Sequence, residues 1–294
     1  MSGTQADDRE DETGPPDDAE PGSGNPYDEM AEGYERYWAP VLRDAAERVL
    51  DPLASQLDGG HPAELLDVGS GTGTLAIAAL SRWPKVRVTG IDPSGGMLEV
   101  AGRNAVAQLS TEAERRFIRR VAPADRLPFR DASFDAAMSS FVLQLVPSRA
   151  AALREIRRVL RPRAVMTWVS WQRTNRAFEP DRVANEVLDD FGFDPPESDS
   201  RPGDIASPAS AAASMRRAGF RDVHAWPDEC THTWDARGYL AFLTEFDEQS
   251  LFDDLDGAER SDIEGAILER LEQLAPEDLT LRLPVVYATG RAGG

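Results

Sequence analysis

Apolar residues alternate between two rhythms through the middle of the chain. Short apolar runs occupy 64–69, 86–91, 117–122, 134–140 and 164–171. Between them, apolar positions recur at helical spacing over 74–82, 95–109 and 148–160. Runs this short predict strands, and a period near 3.6 predicts amphipathic helices. Regular strand–helix alternation predicts right-handed crossovers and a parallel sheet with helices on both faces. Ahead of the first strand, Leu42, Ala45, Ala46, Val49 and Leu50 predict a helix, preceded by Tyr27, Tyr34, Tyr37 and Trp38.

Beyond residue 171 the rhythm loosens. Helices are expected near 178–191 and over 209–218, the second stopped by Gly219, a natural C-terminal residue for a helix. A polar loop, 194–203, separates them, and a strand follows at 221–226. Helical insertions are placed near 176–192 and 235–275. The last apolar run, 281–291, contains Pro284, which favours a bulge or an unpaired strand position. The expected architecture is α/β and doubly wound, with a mostly parallel seven-stranded sheet and helical lid insertions.

The chemistry concentrates at one turn. Glu64-Leu65-Leu66-Asp67-Val68 leads into Gly69-Ser70-Gly71-Thr72-Gly73, and the next apolar run ends at Asp92. Alternate glycines let the main chain bend sharply and approach a ligand closely. The helix that follows offers unbonded N–H groups at its start. A carboxylate at Asp92 is placed to grip the two hydroxyls of a ribose. Dinucleotide sites use G-x-G-x-x-G instead. Here the third glycine comes one residue early, and no Tyr-x-x-x-Lys pair exists, because Lys85 is the only lysine. A nicotinamide oxidoreductase is therefore disfavoured.

Together with three segments downstream, this turn resembles the class I methyltransferases that use S-adenosylmethionine. The segments are Asp92-Pro93-Ser94-Gly95-Gly96-Met97-Leu98, Leu127-Pro128-Phe129 with Ser133-Phe134-Asp135, and Arg157-Arg158-Val159-Leu160-Arg161-Pro162. The pattern is closest to the branch of ubiquinone and menaquinone biosynthesis methyltransferases and related small-molecule enzymes. The resemblance implies a Rossmann-like fold whose last strand is antiparallel. It implies S-adenosylmethionine as cofactor, held by Asp67, Gly69, Gly71, Gly73, Asp92, Met97, Ala124, Asp125, Gln144 and Tyr34. It also implies a small-molecule methyl acceptor. Where the family has Gly-Asp-Ala-Glu, this chain has Ala122-Pro123-Ala124-Asp125. Pro123 thus replaces an adenine-binding Asp, leaving the Ala124 N–H and Asp125 as candidate substitutes. That departure keeps a second reading open: a degenerate cofactor-binding protein with a regulatory or scaffolding role.

Composition narrows the partners. The net charge is −20, and the first 26 residues hold eight acids against one base. That stretch, 1–26, has almost no apolar side chains and is expected to form a disordered acidic tail ahead of one domain, 27–294. A body this acidic is a poor partner for nucleic acid or anionic lipid. The four arginines of 115–120 form a local exception, read as a solvated face. A GC-rich genome and a salt-adapted cytoplasm both produce abundant arginine with one lysine. No run approaches the ~20 apolar residues that span a bilayer. One cysteine, Cys230, precludes an internal disulfide, and a cytoplasmic location is expected.

No catalytic residue or metal ligand set is evident. His61, His224 and His232 are the only histidines, and they are scattered. His61 precedes the first strand, His224 lies within a strand, and His232 stands at the start of the insertion. Trp168, Trp171, Phe178, Trp234, Tyr239, Phe242 and Phe246 are candidates to line a pocket for an apolar or planar acceptor. The N-terminal helix and the 235–275 insertion are expected to close over the carboxyl edge of the sheet.

Overall fold

In the computed structural model, residues 25–193 and 203–293 are described. Residues 1–24 of the expected 1–26 tail and most of the 194–203 loop fall outside them. Seven strands form one sheet: β1 (Ala63–Val68), β2 (Val86–Asp92), β3 (Phe117–Val121), β4 (Phe134–Ser140), β5 (Leu160–Trp171), β6 (Phe220–Thr233) and β7 (Thr280–Ala292). Their spatial order is β3-β2-β1-β4-β5-β7-β6. All neighbours pair in parallel until β7, which runs antiparallel to both β5 and β6. The sheet order reverses around β1 and β4, so the site expected at the strand ends lies at the topological switch point.

Helices cover both faces. The chain opens with α1 (Pro26–Gly33), a π-helical turn (Tyr34–Trp38), α2 (Ala39–Glu47) and a short α3 (Ala54–Leu57). α1 begins one residue earlier than the aromatic pattern implied. Pro26 occupies its first turn, and the Asn25 side chain accepts the Tyr27 N–H at 3.1 Å. Next come α4 (Thr74–Arg82), α5 (Gly95–Gln108), α6 (Thr111–Glu114) and α7 (Arg149–Val159). α2, α4 and α5 pack on one sheet face through Leu42, Leu80, Ala101 and Phe117. On the other face, α7 and α9 (Pro208–Arg217) bury Leu153, Ile156 and Met215.

A third apolar cluster sits at the carboxyl edge of the sheet. It joins α8 (Glu179–Asp190), α10 (Ala236–Phe242), a second π-helical turn (Leu243–Asp247), α11 (Gln249–Asp254) and α12 (Gly257–Leu271). Val187, Tyr239, Phe252 and Ile267 are buried at its centre. This is the helical insertion expected from the sequence.

Two boundaries differ from expectation. β6 runs to Thr233 rather than stopping near 226, because it pairs with β7 residue by residue as far as Thr280. Partnering across the sheet overrides the weak apolar pattern of 227–233. β5 begins at Leu160 rather than near 164, with Arg163 at φ +68 kinking it within the strand. Pro284 sits just beyond the last β5–β7 pair, Trp171–Val285, where its missing N–H breaks no ladder bond.

Candidate active site

The turn after β1 is built by left-handed glycines. Gly69, Gly71 and Gly73 have φ of +70, +53 and +89. At Gly69 the need is steric: a Cβ would overlap the Val142 side chain, which the β4–α7 loop lays across the turn. At Gly71 the case is the reverse. Nothing lies within 4 Å of where its Cβ would project, so that position faces open space. Asp67, at the end of β1, is buried, and its carboxylate accepts the Ser70 hydroxyl at 2.8 Å. Burial pushes its pKa up to about 7, against the opposing effect of that hydrogen bond.

Asp92 ends β2 beside this turn. One carboxylate oxygen accepts the Gly71 N–H at 2.9 Å, and the other accepts the Ser94 N–H at 2.9 Å. Burial raises its pKa, while the two N–H donors act to lower it. An ionised carboxylate has about four acceptor positions. Two are taken by the backbone, so two remain for the vicinal hydroxyls of a ribose.

α1 docks directly onto this strand end. The Asp28 carboxylate accepts the Ser94 hydroxyl at 2.6 Å and the Gly96 N–H at 2.9 Å. These hydrogen bonds hold its pKa below the usual carboxylate range. Gly71, Asp92, Ser94 and Asp28 thus form one hydrogen-bonded chain from the glycine turn to the N-terminal helix. Met97 packs with Ala31 and Val100, flanked by Tyr27 and Tyr34. Burial and the nearby Tyr27 and Asp92 push the Tyr34 hydroxyl well above its ordinary pKa.

The remaining sequence candidates are spread around this centre. Ala124 is buried in the loop after β3, against the cluster containing Ile91 and Phe134. Asp125 follows it, half-buried. Gln144 is committed elsewhere, since its side-chain oxygen accepts the Ser170 hydroxyl at 2.8 Å.

Aromatic side chains link the ends of β4 and β5 to the N-terminal helix and the insertion. Phe141, at the end of β4, has φ +55 and lies 4.5 Å from Trp171 between ring centroids. A bulky residue in the left-handed region is strained, and such strain clusters at functional sites. Trp171 neighbours Trp38 at 6.3 Å, and Trp38 stacks on Phe242 at 5.6 Å. Tyr34 meets Phe246 edge-on at 6.5 Å. Tyr37 donates to Glu245, and Arg36 lies 3.4 Å from the same carboxylate. The two π-helical turns therefore face each other and join the N-terminal helix to the insertion. Phe178 and Trp234 pack against the insertion cluster in which Tyr239 is buried, and Trp168 is fully buried in the sheet core. His232 packs edge-on against Trp234 at 4.5 Å, and burial lowers its pKa. His224 stacks on Trp226 at 5.3 Å, and His61 lies exposed ahead of β1.

Sequence reasoning missed three of these features. Asp28 and Ser94 are separated by 66 positions, and no local pattern marks their pairing. Glu245 has no motif context. The backbone of Phe141 would have been read as ordinary strand. Among the described residues, no helix is long and apolar enough to cross a membrane, and no group of three or more His, Cys, Asp or Glu is placed to hold a metal ion.

Known proteins match this chain in its central part. A sequence family described as a methyltransferase domain matches residues 66–167. A malonyl-[acyl-carrier protein] O-methyltransferase of Geobacter sulfurreducens is 37% identical over 46% of this chain and 48% of its own length. A ubiquinone/menaquinone biosynthesis C-methyltransferase of Geotalea daltonii is 41% identical over 33% of this chain and 41% of its own length. The chain thus spans about half or less of these relatives. Among solved structures, a Haemonchus contortus phosphoethanolamine N-methyltransferase in complex with phosphomonomethylethanolamine and S-adenosylhomocysteine aligns with a TM-score of 0.53. It is 16% identical, and the alignment covers 91% of this chain and 58% of that one. At that identity the likeness speaks for the fold.

Proposed function

Because residues 66–167 match a methyltransferase domain, we propose that the chain uses S-adenosylmethionine to transfer a methyl group to a small-molecule acceptor with an apolar or planar reacting part. One observation carries the acceptor class. Trp38, Phe141, Trp171, Phe242 and Phe246, drawn from four separate parts of the chain, form one connected series of ring contacts between the end of β4 and the insertion. Such a series of rings binds flat or greasy groups and excludes water.

The residues present fit the cofactor. The two acceptor positions left on Asp92 match the two ribose hydroxyls, and the open space at Gly71 leaves room beside them. Met97 is buried with Ala31 and Val100 beneath α1, next to the strand end, and a rearrangement of α1 would bring it against the adenine. When bound, S-adenosylmethionine supplies an electrophilic methyl carbon on a sulfonium. The rest of the work is positioning and water exclusion, and no side chain at the site is identified as a general base. Asp92 orients the ribose, the glycine turn lets the main chain approach closely, and the aromatic series sets the direction of the acceptor.

Calorimetry with S-adenosylmethionine and NADH side by side tests the cofactor assignment. The expected outcome is binding of the first alone. Release of S-adenosylhomocysteine is then measured with quinols, phenols, amines and carboxylates as acceptors. Turnover is expected with flat or apolar acceptors. Cofactor binding without turnover on any of them would support the degenerate, regulatory reading instead.

A further inference from the structure

β3 is the outermost strand on its side of the sheet and pairs with β2 alone. The Val88 N–H donates to the Arg116 C=O, and the Ala122 N–H donates to the Asp92 C=O. Even-numbered residues therefore turn their main chain toward β2. By the alternation of a strand, Phe117, Arg119 and Val121 point their N–H and C=O groups outward. Both faces of this edge carry exposed apolar side chains. Val121 is 61% exposed on one face and Ile118 is exposed on the other, while Val106 of α5, 70% exposed, neighbours Arg119. Three of the six exposed large hydrophobic residues in the described structure lie on or next to this edge.

The edge is also basic within a chain of net charge −20. Arg115, Arg119 and Arg120 are exposed. Arg119 lies over the Phe117 ring and Arg120 over Phe129, and neither meets a carboxylate among the described residues. We propose that this edge is a docking site for a partner protein that adds an acidic β-strand to the sheet. Outward main-chain groups call for a strand, Val121 and Ile118 offer it apolar contact on either face, and arginines that meet no carboxylate select acids. A second copy fits poorly, since joining two such edges opposes arginine to arginine. A nucleic acid would leave the outward amides and Val106, Ile118 and Val121 unused. The acidic segment 1–24 has almost no apolar side chain to cover them.

The test uses the full chain and a synthetic nine-residue peptide alternating Asp or Glu with Val or Ile. Binding is followed by fluorescence anisotropy, and amide exchange of residues 117–121 by mass spectrometry. The expected result is saturable binding that slows exchange at these residues. Val121→Pro removes one outward N–H and no internal bond, and Arg119→Glu reverses one charge. Each is expected to weaken binding at least tenfold while leaving S-adenosylmethionine affinity unchanged. A peptide with proline at its centre should not bind. Equal binding by Val121→Pro, or no slowing at 117–121, overturns the proposal. So does tighter binding of a single-stranded RNA oligomer, self-association lost in Val121→Pro, or exchange at 117–121 that speeds up when residues 2–24 are deleted.

Discussion

Asp28 accepts the Ser94 hydroxyl at 2.6 Å, and Ser94 in turn donates its N–H to Asp92. The N-terminal helix is thereby tied to the residue assigned to the cofactor ribose. Asp28→Ala is expected to loosen α1, with Tyr27 and Tyr34, from the site. Calorimetry should show S-adenosylmethionine affinity falling several-fold, while the melting temperature changes little. Wild-type affinity in this variant would mean that the tether does not act on the pocket.

Asp92 itself carries the larger effect. Hydrogen bonds to a charged group contribute about 1.5–3 kcal/mol each. Losing two to the ribose weakens binding by on the order of 100-fold or more. Asp92→Ala should show that loss by calorimetry, and unchanged affinity would remove the residue from the site.

Gly71→Val probes the same turn from the opposite side. Its side chain projects into space that the fold leaves open, at a φ of +53. The left-handed backbone costs a β-branched residue about 1–2 kcal/mol, too little to unfold a domain of ordinary stability. The variant is expected to keep a native circular dichroism spectrum and to lose cofactor binding. A folded variant that binds normally would show that the ligand does not pass this point.

Asp67 gives the fold a pH dependence. Its native pKa, up to about 7, stands above the 3.8 of an unconstrained aspartate. The unfolded chain therefore gives up this proton first as pH rises. The contribution to stability is fully present below about pH 4 and is lost progressively up to about pH 7. Asp67→Asn does not titrate, so its melting temperature should gain on the wild type between pH 4.5 and pH 8. A difference that stays constant with pH would contradict the assignment.

The aromatic series predicts where motion stops on binding. With cofactor and an accepted acceptor both bound, hydrogen exchange should slow in residues 27–40 and 235–256 as well as in the glycine turn. Protection of the turn alone would place the acceptor elsewhere.

The centre of the sheet was legible because its inner parallel strands are buried on both faces and read as apolar runs, as Leu65-Leu66 and Ala136-Ala137-Met138 do. The glycine turn and Asp92 were legible because their chemistry is local in sequence. β6 was half hidden: its second part, Pro227–Thr233, alternates exposed and covered positions and is a strand only because β7 pairs with it. Contacts such as Asp28 with Ser94, or Tyr37 with Glu245, join residues whose neighbourhoods give no sign of each other. Phe141 escaped notice because its unusual backbone is imposed by the fold around it.

The contact between Tyr37 and Glu245 spans 208 positions of chain. Closing a loop of that length becomes favourable only once intervening structure has shortened it. β5 and β7 must pair before the insertion is held above the site, whereas β1, β2 and the glycine turn need only short-range crossovers. The expected order of assembly is that the cofactor half of the site matures first and the acceptor half later. Pulse-labelled hydrogen exchange during refolding should find 63–92 protected before 34–38 and 243–247, and simultaneous protection would refute that order.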